Sequence, residues 1–272
     1  MSRSEIDQII SGVTVPLMEP WRTAIVEATE DSIRVRGYDV TALMGRVTFT
    51  DTIFLLHRGQ LPSAHERALL DAILVGVADH GSGAPSCATA RLAASGNRQS
   101  LSAAVAAGIL AIGDEHGGAG SACMEMIAAV VDRAKAESVS LVESARRTVA
   151  DARATGRRIP GLGHRKHSVD PRTAVLFGMA RTHGVAGNGV AGMEALDAAL
   201  RESGKALPIN IDGALAAVLF DLGFPPAFGK LVFIIGRVAG LTAEVAEEYA
   251  REKPMRIKVP VTYDGEPARD LD

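Results

Sequence analysis

Only two of the 272 residues are cysteine, Cys87 and Cys123, and no metal-ligand spacing joins them. That excludes a disulfide-rich scaffold and a cysteine–zinc module, and the pair reads as reduced thiols. Charge of one sign is also missing: 29 Lys and Arg stand against 32 Asp and Glu, a formal net charge of −3. Without a basic excess, neither nucleic acid nor an anionic membrane is an expected partner. The longest apolar run, Leu101 to Gly113, falls short of the about 20 residues a helix needs to cross a bilayer. The first residues, MSRSEIDQII, are polar and lack the apolar core of a signal peptide, so a cytoplasmic location is expected. No P-loop and no dinucleotide-binding glycine fingerprint occurs, so a nucleotide-containing ligand needs another cradle.

What is present is helical periodicity. Apolar residues make up 47% and charged residues 22%, the balance of a soluble globular protein with a sizeable core. Ser63-Ala-His-Glu66 is a capping-box pattern, followed by Leu69, Leu70, Ile73, Leu74 and Val77 on one helical face. Residues 100–112 and 121–135 read as buried helices, and 137–154 as a helix with one wet face. Pro225 and Pro226 suit a helix start. Beyond them Phe228, Leu231, Val232, Ile235, Val238, Ala239, Val245, Ala246 and Tyr249 keep helical spacing, and Gly236 and Gly240 would admit a second helix. Arg34–Tyr38 and Ile257–Tyr263 are the only strand candidates. The expected class is all-α.

Chemistry is most legible where a polar group interrupts an apolar stretch. Asp212 is the only charge between Lys205 and Asp221. Its local sequence fits a helix N-cap, and burial would instead make it a general base near neutral pH. Arg237 is the only charge between Lys230 and Glu244, and so apolar a setting demands an anionic partner, from the protein or from a ligand. His116 lies between an apolar helix and a glycine pair, and His80 follows another helix; single histidines so placed are more often structural than catalytic. The stretch PGLGHRKHSVDPR, residues 160–172, gathers His164, Arg165, Lys166 and Arg172, with Arg157 and Arg158 just before it. A solvated basic loop is the bland interpretation of these charges. A polyanion site with His164 donating to a carbonyl oxygen is the sharper one, and His164, His167 and Asp170 have a spacing open to a metal.

Taken in order, these segments resemble the citrate synthase superfamily. The resemblance rests on His116-Gly-Gly-Ala119, Pro160-Gly-Leu-Gly-His164 with Asp170-Pro-Arg172, Asn210-Ile-Asp212, Gly236-Arg237-Val-Ala-Gly240, and Arg34-Val-Arg-Gly-Tyr-Asp-Val40. Within that superfamily the chain is most similar to the citryl-CoA lyases, including the lyase module of ATP-citrate lyase, and it lacks roughly the first hundred residues of a full synthase. The resemblance implies a large helical domain of residues 1–119 and 223–272 and a small one of 120–222 that carries His164 and Asp212. It implies cleavage of citryl-CoA to acetyl-CoA and oxaloacetate, with His116, His164 and Asp212 catalytic. His80, Arg172, Arg237, Asn210 and Lys253 would bind the substrate; composition and position, rather than the resemblance, suggest Arg158, Pro160, Gly161, Gly163, Arg165 and Lys166 for the CoA moiety. No metal and no cofactor beyond the CoA thioester substrate is implied, and the expected partners are small molecules and a second copy of the chain. Synthesis of citrate or 2-methylcitrate, and a non-catalytic acyl-CoA-binding homologue, are the alternatives; a metal hydrolase is an outlier.

Three departures from the family pattern stand out. Lys253-Pro254 replaces the family's Arg-Pro, with Arg251 and Arg256 nearby, and lysine cannot make arginine's bidentate pair. The interval from His164 to Arg172 is one residue shorter than in typical synthases. His116 stands where the ATP-citrate lyase module has no histidine.

Overall fold

The computed structural model describes residues 21–163 and 170–270, so His164, Arg165, Lys166 and His167 lie outside the described residues. The chain falls into two compact units, divided between Leu61 and Pro62.

In the first unit, β1 (Val26–Ala28), β2 (Ile33–Val35) and β3 (Tyr38–Asp39) form an antiparallel sheet in the order β1-β2-β3. Val35 pairs with both Val26 and Tyr38. Arg36 and Gly37 turn the chain from β2 to β3 with φ of +49° and +88°, the twist a two-residue hairpin favours. The Arg36 guanidinium is spent on the backbone, donating to Leu56 O at 2.6 Å and to Ala24 O at 3.1 Å. Helices α1 (Val40–Leu43) and α2 (Phe49–Arg58) follow; a Thr48/Asp51 capping box starts α2 and Gly59, at φ +78°, ends it.

The second unit is helical throughout its described elements. It comprises α3 (Ala64–Val77), α4 (Pro85–Gly96), α5 (Leu101–Leu110), α6 (Ala119–Ala136), α7 (Leu141–Ala154), α8 (Pro171–Thr182), α9 (Asn188–Glu202), α10 (Ile211–Asp221) and α11 (Phe228–Arg251). The Ser63/Glu66 capping box forms as its spacing predicts. Helix α10 is the centre: Ile211 and every residue from Gly213 to Leu219 are buried, and α6, α8 and α9 pack around it. Burying a leucine such as Leu215 contributes about 1.5–3 kcal/mol. One apolar cluster joins α6, α7 and α9 through Val130, Val149 and Leu196. Another joins α4, α5 and α11 through Ala90, Ala104 and Leu241.

Three expectations need correction. Helix α5 is not a buried helix; only Ala104 and Gly108 are covered, while Leu101 and Leu110 are exposed. Ile257–Tyr263 is no strand, and Pro260 within it removes a ladder donor. Helix α11 turns its apolar stripe inward only in part: Phe228, Val232 and Val245 are buried, while Leu231, Ala239 and Ala246 are exposed. Its inner face is Gly229, Val232, Phe233, Gly236, Arg237, Gly240, Leu241, Glu244, Val245 and Glu248. The glycines are there because α3 is close: a methyl group on Gly236 would lie 2.5 Å from Val77 Cγ2, and one on Gly240 would collide with Ala78 O. The two carboxylates are there because Arg91 of α4 bridges Glu244 at 2.5 Å and Glu248 at 3.0 Å, with Arg256 also on Glu248. No helix among the described residues is long and apolar enough to cross a membrane.

Candidate active site

The N-cap of α10 is Asn210, not Asp212. Asn210 Oδ1 accepts from Gly213 N at 3.1 Å, and its Nδ2 donates to Gly163 O at 2.7 Å. Asn210 N also donates to Gly161 O at 3.0 Å, and Gly163 N to Pro208 O at 2.7 Å. Residues 161–163 are thereby strapped along 208–210. The glycine at 161 is required twice over: its φ is +81°, and a Cβ would lie 2.7 Å from both Cys123 Sγ and Gly213 Cα. This strap fixes where the chain enters the stretch holding His164.

Asp212 therefore sits inside the first turn of α10, free of capping duty. Its Oδ1 is buried and has no hydrogen-bond partner among the described residues. Burial pushes the carboxyl up to about 6, against the pull of Arg172 and Arg237, and Asp170 adds to the push. A carboxyl so placed can hold or release a proton near neutral pH.

Asp170 organises the other side. It is fully buried at the N-cap of α8 and grips Arg172, with Oδ1–Nε at 2.9 Å and Oδ2–Nη2 at 2.8 Å. Its Oδ2 also accepts from Ile211 N at 3.1 Å, immediately before Asp212. Arg172 Nη1 reaches across to Gly76 O of α3 at 3.0 Å. One buried carboxylate thus sets both the guanidinium and the start of the helix bearing Asp212. Asp170 itself is bonded to Arg172 and to the backbone of Ile211.

Arg237 is 2% exposed. Its Nε donates to Val77 O at 2.9 Å, its Nη1 to Ser86 Oγ at 3.1 Å, and its guanidinium lies 4.7 Å over the Phe233 ring. Among the described residues no carboxylate forms an ion pair with it. Ser86 carries the link onward to His116, whose Nε2 lies 2.9 Å from Ser86 Oγ and 3.2 Å from Ser86 N. The backbone N–H can only donate, so Nε2 is an acceptor and the neutral ring keeps its proton on Nδ1. His116 also packs edge-on against Phe233, with centroids 5.9 Å apart.

The described residues thus bring His116, Arg237, Arg172, Asn210 and Asp212 into one connected region. His80 is exposed beyond α3, its backbone N–H donating to Asp79 Oδ1. Arg158 is exposed and reaches Glu115, beside His116, at 3.6 Å. Lys253 is exposed in the irregular segment after α11, where Arg251 is already paired with Glu247 and Arg256 with Glu248. Sequence reasoning missed Ser86, which reads as an ordinary first-turn residue after Pro85. It also read Asp170 only as part of a motif and of a spacing open to a metal, although a carboxylate before Pro-Arg is a cap signal.

Residues 63–258 match the citrate synthase, C-terminal domain family. The chain belongs to the citrate synthase family. A citrate synthase of Haloferax volcanii is 30% identical to it over 219 residues, 79% of this chain and 54% of the relative. A 2-methylcitrate synthase of Shewanella oneidensis is 30% identical over 216 residues, 75% of this chain and 52% of the relative. The chain spans about half the length of the curated relatives it matches. Citryl-CoA lyase from Hydrogenobacter thermophilus superposes with a TM-score of 0.85 at 37% identity, covering 93% of this chain and 98% of that one. ATP citrate lyase of Methanosaeta concilii superposes at 0.71 with 18% identity, over 97% of this chain and 45% of that one, a likeness of fold. The all-α citrate synthase-like class inferred from helical periodicity and motif order is the class observed.

Proposed function

We propose that this member of the citrate synthase family cleaves citryl-CoA to acetyl-CoA and oxaloacetate. The observation that carries the reading is Asp212: a buried carboxyl, titrating near 6, within the field of two arginines. The likeness to citryl-CoA lyase over nearly the full length of both chains supports cleavage as the direction.

In this reading His164 accepts the proton of the tertiary hydroxyl as that carbon becomes a carbonyl. The carbon–carbon bond breaks and its electron pair passes to the thioester-stabilised enolate. His116 donates from Nδ1 to the enolate oxygen, the tautomer that Ser86 enforces. Asp212 delivers its proton to the methylene carbon, leaving acetyl-CoA and a carboxylate. Arg172, Arg237, His80 and Asn210 bind the carboxylates and carbonyl of the oxaloacetate half. Arg158, Arg165 and Lys166, with the Pro160–Gly163 turn, serve the CoA moiety. Lys253 approaches the site of a second copy in a homodimer. Residues 120–222 act as the small domain that covers the reacting centre against water.

Net synthesis of citrate or 2-methylcitrate is the second reading, favoured by the synthases among the relatives. Purified protein incubated with citryl-CoA should release acetyl-CoA and oxaloacetate, measured by coupled reduction of the latter. With oxaloacetate and acetyl-CoA it should release little free CoA; brisk release would establish the synthase instead.

A further inference from the structure

We propose that His65 and His183 form a surface site for a divalent transition-metal ion that staples the start of α3 to the end of α8. His65 is the second residue of α3, and His183 is the C-cap of α8. Though 118 residues apart, they place their Nδ1 atoms 2.8 Å from one another. The ring centroids are 5.1 Å apart, with planes inclined by 58°. Two neutral imidazoles in this pose share one hydrogen, carried by one Nδ1 and accepted by the other. The two nitrogens face each other across this bond, and a metal ion set to one side of the line between them can replace that hydrogen after a small rotation of the rings.

The spacing suits the exchange. With metal–nitrogen bonds of about 2.0–2.1 Å, neighbouring nitrogens at a right angle lie roughly 2.9 Å apart, and at a tetrahedral angle roughly 3.3 Å apart. A square or octahedral arrangement fits as it stands, and a tetrahedral one needs about half an ångström of opening. Imidazole favours copper, nickel and zinc over the hard cations magnesium and calcium. Both residues are accessible enough for water to complete the coordination shell.

The position gives such an ion a structural effect. Arg172 already ties the first turn of α8 to the last turn of α3 through Gly76 O. The histidines sit at the opposite ends of the same two helices. At the Arg172 end of this seam lies an apolar groove of about 340 Å³, lined by Ala72, Val75, Gly76, Pro171, Arg172 and Val175 among others. A metal at the histidine end closes the seam whose other end holds Arg172. Binding does not depend on the proposed reaction, so the two readings fail separately.

The test uses the full chain, freed of metal with a chelator and then titrated with copper, nickel, zinc or magnesium chloride by calorimetry and thermal unfolding. One saturable site per chain is expected for the first three, tightest for copper and accompanied by a rise in Tm, with no effect of magnesium. His65→Ala and His183→Ala should each weaken that site at least tenfold and remove the Tm rise, with unchanged circular dichroism. Binding and stabilisation that persist in both variants, or no saturable binding by the wild-type chain, would overturn the proposal.

Discussion

Asp212 carries a cost that the proposed chemistry would require. Its unfolded carboxyl ionises near 4, and its folded one near 6, so folding favours the protonated form. Below about pH 4 both states are protonated and nothing is lost; from 4 to 6 the penalty grows, and above 6 it is complete. Asp212→Asn should therefore stabilise the protein by up to about 2–3 kcal/mol above pH 6, with the gain fading as pH falls, readable as Tm against pH. The same variant should lose on the order of 10²–10⁴-fold in turnover while still binding CoA esters. If Asp212→Asn lowers Tm above pH 6, or leaves turnover at its ordinary rate, the role is contradicted. The sequence marked Asp212 by its isolation in an apolar segment but suggested the cap, because Asp and Asn compete for that position. Only the backbone path, with Gly161 and Gly163 strapped to Asn210, decides between them.

At the scale of elements, helix start signals were the most readable, since a capping box is a local affair settled within four residues. Helix faces were harder. On α11 the buried face combines Phe228, Val232 and Val245 with glycines and with Arg237, Glu244 and Glu248, so hydrophobicity alone finds only part of it. Gly236 and Gly240, read as a point of close approach, do meet the end of α3. Gly240→Ala should push α11 away from Ala78 O, costing about 1–3 kcal/mol and lowering Tm by several degrees. The displacement also disturbs the bond from Arg237 to Val77 O, so kcat/KM should fall with stability. A variant with wild-type Tm would show that the helices part freely there.

For the whole molecule, family and fold were legible because five short motifs keep their order, and chain order is preserved where sequence drifts. Spatial convergence was not: Ser86 meets His116 across 30 residues and Arg237 across 151, and no periodicity encodes such distances. Composition likewise foretold a sizeable core but not the ionic cluster of Arg91 with Glu244 and Glu248, whose glutamates lie beyond Arg237 on α11.

Arg237 is sealed from water with a carbonyl, a hydroxyl and an aromatic ring for company. Asp79 and Asp212 act on it only through the field, with no carboxylate paired to it among the described residues, and under the proposed function an incoming dianion supplies that pairing. Occupancy and thermal endurance should therefore rise together: millimolar oxaloacetate or citrate lifts the melting point of the wild-type chain. In Arg237→Met that lift disappears, and the unliganded protein melts no lower than its parent. Substrate supply would then set the lifetime of the folded molecule as well as its rate of work.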